Sequence, residues 1–177
     1  MTAHPTHQKL ARLMARATHE ILWEQAEPRA KGVSLQCRAG RGRATYHRFD
    51  ALKQHHDIVF GALMVADKRC PQASTNWLST REIRQRGYWH GTVSMLNLLT
   101  HTCCHEFAHL QQTLAGDRQR GRVHTPFFYR LLDELHRSGQ ADTVKGFLRS
   151  HALQGGLPLD EAVHPLPAGP ARSGFSP

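Results

Sequence analysis

The sequence predicts an α+β fold in a single domain: an N-terminal helix, a small, mostly antiparallel sheet, and a long central helix with further helices behind it. Three observations predict it. Apolar residues at helical spacing open the chain, strict alternation follows beside a glycine-marked turn, and residues 92–115 then run without Gly or Pro.

Taken in order, Leu10, Leu13, Met14, Ala17, Ile21 and Leu22 recur at helical spacing over residues 6–26, and Pro28 follows. Val33, Leu35 and Cys37 alternate with Ser34, Gln36 and Arg38, the pattern of a half-buried strand. Gly40 and Gly42 mark a turn, and residues 44–49 read as a second strand. The apolar run 58–65 suits a buried strand, with a helix as the alternative. Residues 67–88 are polar, with a short helix expected near 79–86. The central helix should start after Gly91, with Thr92 as its N-cap, and end at Gly116. Thr125 and Pro126 are an N-cap and first-turn proline for a helix reaching about His136, and 141–153 reads as one more. The domain thus covers 6–153. Residues 154–177, carrying five prolines and little to bury, read as a flexible tail.

Length and composition narrow the class. A chain of 177 residues can bury a sizeable core. No window approaches the roughly 18 uncharged apolar residues of a membrane span, and residues 1–8 lack an apolar signal core. A cytoplasmic protein without membrane contact is expected. The formal charge of +9 and pI near 10 favour polyanionic surroundings, nucleic acid first. Arginines cluster at 38, 41, 43 and 48, at 81, 84 and 86, and at 118, 120 and 122. Cys37, Cys70, Cys103 and Cys104 form no C-x-x-C pair, so a zinc ribbon or redox motif is not supported.

The chemistry concentrates in His105-Glu106-Phe107-Ala108-His109, an H-E-x-x-H on the central helix. Residues four apart share a helix face, so His105 and His109 can offer two imidazoles to one metal ion, with Glu106 one step round as a base. Leu96, Leu99, Cys103, Phe107, Leu110 and Leu114 form an apolar stripe opposite, anchoring one face while the other lines a site. A catalytic zinc site usually needs a third protein ligand. Gln112 and Ala115 exclude the metzincin spacing. Asp133 or Glu134 on the next helix would complete a thermolysin-like set. His124, fifteen residues past His109 and just before a well-signalled helix, is the better candidate. His101, one turn before His105, borders the same face, and Tyr88 and Tyr129 are candidate hydrogen-bond donors to a reacting carbonyl.

The combination of His105-Glu106-Phe107-Ala108-His109 with His124-Thr125-Pro126-Phe127-Phe128 resembles the SprT-like (Spartan-type) metallopeptidases. Their second element is H-G-x-x-F; Thr125 stands here in place of Gly. The likeness covers about 25 residues, and beyond them only the order of elements agrees. It implies a zincin-like domain, zinc bound by His105, His109 and His124, and Glu106 as general base for peptide-bond hydrolysis. A substrate chain could add as a strand to the sheet edge. The family's eukaryotic members act on proteins crosslinked to DNA. Many relatives carry a C-terminal zinc ribbon; no cysteine follows Cys104 here, so the basic surface is the feature available to meet DNA. The alternative function is a non-catalytic, DNA-associated module whose metal only ties two helices together.

Overall fold

The computed structural model describes residues 4–27, 30, 32–69 and 77–159, so residues 160–177 of the expected tail lie outside it. Helix α1 spans Pro5–Ala17, with Pro in its first turn and the His4 ring accepting from the Thr6 N–H. It runs on through a π-helical stretch, Thr18–Trp23, into a last turn, α2, at Glu24–Ala26. Leu10, Met14, Leu22 and Trp23 are buried, as the helical spacing requires.

Strands β1 (Ser34–Gly40), β2 (Tyr46–Asp50) and β3 (His55–Gly61) form one sheet in the order β1-β3-β2. This corrects the expected mostly antiparallel sheet. β1 runs parallel to β3, with Cys37 opposite Ile58, and β2 runs antiparallel to it, with His47 opposite Ile58. The reason lies past Gly40. The chain does not fold back on β1 there but crosses the end of β3 to its far edge. That crossing needs Gly61, where a Cβ would meet the Gly42 carbonyl oxygen at 2.4 Å and that of Ala44 at 2.8 Å. The Leu63 N–H donates to Gly42 O and the Gly61 N–H to Thr45 Oγ1, locking the crossing.

Gly61 also divides the apolar run 58–65. Its first half completes β3, and its second half begins helix α3, Ala62–Lys68. Helix α4 (Leu78–Arg86) lies where a short helix is expected and stops at Gly87, whose φ of 72° a side chain would resist.

The central helix α5 spans Met95–Leu114. Ser94, not Thr92, caps it: the Ser94 hydroxyl accepts from the Asn97 N–H, while the Thr92 carbonyl accepts from the Asn97 side chain. Most of the expected apolar stripe is buried, though Leu114 is 40 % exposed. The polar face is enclosed as well. Asn97, Thr100, His101, Thr102, Glu106, His109 and Gln112 are all buried, because α5 packs against α1, α3, α4 and β2 and against α6 (Pro126–Arg137) and α7 (Gln140–Gln154). Thr100 and Thr102 meet burial by donating to the carbonyls of Leu96 and Leu98. Among the described residues, no helix is long and apolar enough to cross a membrane.

Replacing Gly61 by Ala should therefore cost about 1–3 kcal/mol, seen as a lower midpoint in chemical denaturation. Gly146 lies inside α7, and a Cβ built there meets nothing within 4 Å. Gly146→Ala should raise stability by about 0.4–1 kcal/mol in the same assay.

Candidate metal centre

Helix α5 sets His105 and His109 one turn apart, and the N-terminus of α6 brings His124 beside them. Thr125 makes this join. Its hydroxyl donates to Asp117 Oδ2 at 2.7 Å and accepts from the Phe128 N–H at 3.1 Å, capping α6. Gln112, inside α5, donates to both Asp117 and Thr125. With φ of −77° at Thr125, glycine is not needed after His124, and the side chain does what glycine could not.

The three imidazoles face one another in a nearly equilateral triangle, with ring centroids 4.9, 5.0 and 5.0 Å apart. His105 Nε2 and His124 Nε2 are 3.2 Å apart. Metal–nitrogen bonds of about 2.0–2.1 Å place two ligands of a tetrahedral ion roughly 3.3–3.4 Å apart, so this spacing fits a metal centre with little movement. His105, His109 and His124 can hold a metal ion. Phe128 is fully buried and lies 4.4–5.0 Å from each of the three rings, closing the centre from below with a dry aromatic surface.

Hydrogen bonds prepare the nitrogens. Glu82, on α4, accepts at Oε2 from His105 Nδ1 at 3.0 Å and from His101 Nε2 at 2.8 Å. A proton held on Nδ1 leaves Nε2 as the nitrogen for a metal ion, which must displace its proton: burial lowers the His105 pKa, but the Glu82 hydrogen bond and the Glu106 charge outweigh it and raise it. Burial raises the Glu82 carboxyl, but the hydrogen bonds from His101 and His105 outweigh it and hold the group well below the usual range. Gln112, oriented by Asp117 and Thr125, turns its carbonyl toward His109 Nδ1 at 3.4 Å, a long contact with the same sense. Burial, then the neighbouring His105 and Arg118, depresses His109 to about 3. Burial and His105 lower His124 too. Both rings are therefore neutral, as metal ligation requires.

Glu106 is 8 % exposed. Burial raises its carboxyl above the ordinary value; His105, Arg118, a backbone hydrogen bond from His47 and Lys68 partly offset this. A carboxylate in that state suits a proton acceptor near neutral pH. Arg118 approaches from the loop after α5 and rests on His47 Nδ1, while His47 Nε2 meets His56 Nδ1 at 2.7 Å. Burial is the main cause lowering both sheet histidines, His47 to about 2 and His56 to about 4.

Other expected residues fall elsewhere. Asp133 is taken by Arg86 and Tyr88, and exposed Glu134 pairs with Arg137, so neither completes the histidine set. Tyr88 spends its hydroxyl on Asp133 and stacks on His136, which removes it from the centre. Tyr129 stays close, its ring 6.2 Å from His124 with the Arg86 guanidinium over it. His101 is fully buried and acts through Glu82. Glu82, His101 and His105 form a second group with metal-ligand character, but contacts of 2.8 and 3.0 Å are hydrogen-bond lengths, and Glu82 and His101 are buried. Cys103 and Cys104 are core residues whose thiols burial keeps protonated. Of the clustered arginines, Arg43, Arg48 and Arg86 are ion-paired with Asp67, Asp57 and Asp133.

Glu82 was not singled out from sequence, nor Arg118 beyond its basic cluster. Both belong to polar stretches without a motif. Compared with known proteins, the chain matches no protein-family model, no curated protein and no solved structure.

If Glu82 orients His105, Glu82→Gln should weaken metal binding about 10–100-fold, because the ring loses its charged acceptor. Competition with a chromophoric zinc chelator measures this. An unchanged affinity would reduce Glu82 to a structural partner of His101.

Proposed function

We propose that this chain is a zinc-dependent endopeptidase of SprT-like type, with His105, His109 and His124 as metal ligands and Glu106 as general base. The observation that carries the reading is the convergence of three imidazoles, those of His105, His109 and His124, next to the buried carboxylate of Glu106. Three histidines with an open fourth position is the ligand set of hydrolytic zinc rather than of a closed structural site. The fit is supported by the 3.2 Å separation of His105 and His124 nitrogens and by the carboxylate behind His105.

A zinc ion held there would supply Lewis-acid polarisation of a peptide carbonyl and acidify water. Glu106 takes the proton from the attacking water and delivers it to the departing amine, so that the same carboxylate serves both halves of the reaction. Glu82 keeps the His105 ring in register through both steps. Phe128 excludes water from below the ligands. β2 is an edge strand, and a backbone hydrogen bond from His47 reaches Glu106. A substrate chain adding along that edge would bring its carbonyls past the carboxylate. The net charge of +9 favours substrates held on nucleic acid, in line with the DNA-crosslinked proteins of the family's eukaryotic members.

Glu106→Gln should reduce cleavage of an unfolded protein substrate at least about 100-fold while one zinc per chain is retained. His124→Ala should lose the metal. Plasma-emission metal analysis and gel-based cleavage, with and without DNA, read both. Zinc-loaded wild type that cleaves no unfolded or DNA-bound protein would turn the assignment to the non-catalytic module in which the ion ties α5 to α6.

A further inference from the structure

A cleft of about 230 Å³ opens beside Glu106, between α3, the start of α4 and α5. His105 and Glu106 form one wall. Its exposed surface is mostly apolar, with Met64 from α3 and Trp77 and Leu78 at the head of α4 standing beside the hydroxyls of Thr45, Ser79 and Thr102. Whatever enters it lies against the two groups at the centre of the proposed chemistry.

We propose that this cleft receives an apolar side chain, of leucine or phenylalanine size, from the substrate residue next to the scissile bond. The inference rests on the peptidase reading and adds its specificity. A water occupies about 30 Å³ in the liquid, so the volume is that of several waters and matches one bulky side chain rather than a folded ligand. An apolar surface that concave gains by expelling its water.

Charge decides between an apolar and an acidic occupant. The one lysine in the lining, Lys68, is 2 % exposed, and burial lowers its pKa to about 7; its amine donates to Ser79 Oγ at 2.9 Å and lies 4.7 Å from the Trp77 ring centre. Held this way, Lys68 presents its aliphatic stem to the wall and has its head already engaged. An acidic side chain would also face the Glu106 carboxylate. A neutral apolar group meets neither cost.

The test uses zinc-loaded protein carrying ¹³C-methyl methionine, with the Met64 signal assigned through Met64→Leu. N-acetyl-leucinamide should shift that signal saturably; the alanine and glutamate analogues should not. Peptides varied on both sides of the cleaved bond should show at least about tenfold higher kcat/KM for Leu or Phe than for Ala at one flanking position. Leu78→Phe, which narrows the cleft, should move that preference toward smaller residues. A Met64 signal indifferent to all three probes, or responding best to the glutamate analogue, would overturn the proposal even if peptides are cleaved. A leucine response without cleavage of any peptide would leave an apolar pocket but overturn its assignment to a substrate residue, and with it the peptidase.

Discussion

Glu82 sits at 3 % exposure in the interior, where an unpaired carboxylate would cost several kcal/mol, and it is there because two imidazole N–H groups share its Oε2. That shared oxygen ties α4 to α5 and fixes which nitrogen of His105 faces the centre. The rest of the site depends on this bond. With Nδ1 committed to Glu82, Nε2 is the nitrogen left to meet His124 and His109. Glu82 Oε1 has no hydrogen bond of ordinary length among the described residues, although the Tyr129 hydroxyl lies close enough for the carboxylate to raise its pKa, so the pairing leans chiefly on Oε2.

A second network does for His124 what Glu82 does for His105. Asp117, Gln112 and Thr125 form a closed set of hydrogen bonds joining the middle of α5 to the cap of α6. Thr125 thereby holds the chain immediately after His124 at a fixed place. Gln112 belongs to both purposes, since the amide that donates to Asp117 and Thr125 leaves its oxygen for His109. His101 and Gln112 thus owe their burial to partners on neighbouring elements, while Thr100 and Thr102 turn to carbonyls of α5 itself.

The two networks leave unequal surroundings on the two sides of the histidines. Phe128 packs on all three rings, while Glu106 has Arg118 and His47 as neighbours and lines the cleft with His105. Burial raises the Glu106 carboxyl, Arg118 lies within electrostatic reach of it, and β2 beside it is an edge strand. His47 carries Arg118, and His56 backs His47 through a 2.7 Å contact between ring nitrogens.

Helical periodicity and cap chemistry by themselves determined that His105 and His109 share a face, that α6 begins at Thr125-Pro126, and that His124 stands just before it. These follow from local rules acting over a few residues. The apolar run 58–65 was ambiguous for the same reason, since periodicity is blind over so short a stretch. Only tertiary structure decided the strand order, because the crossing from β1 to β2 is dictated by how closely the chain passes Gly61. Only tertiary structure brought in Glu82, 23 residues before His105, and enclosed the polar face of α5. Such contacts join side chains distant along the chain, and their energy depends on where each group is buried and which partner it meets there.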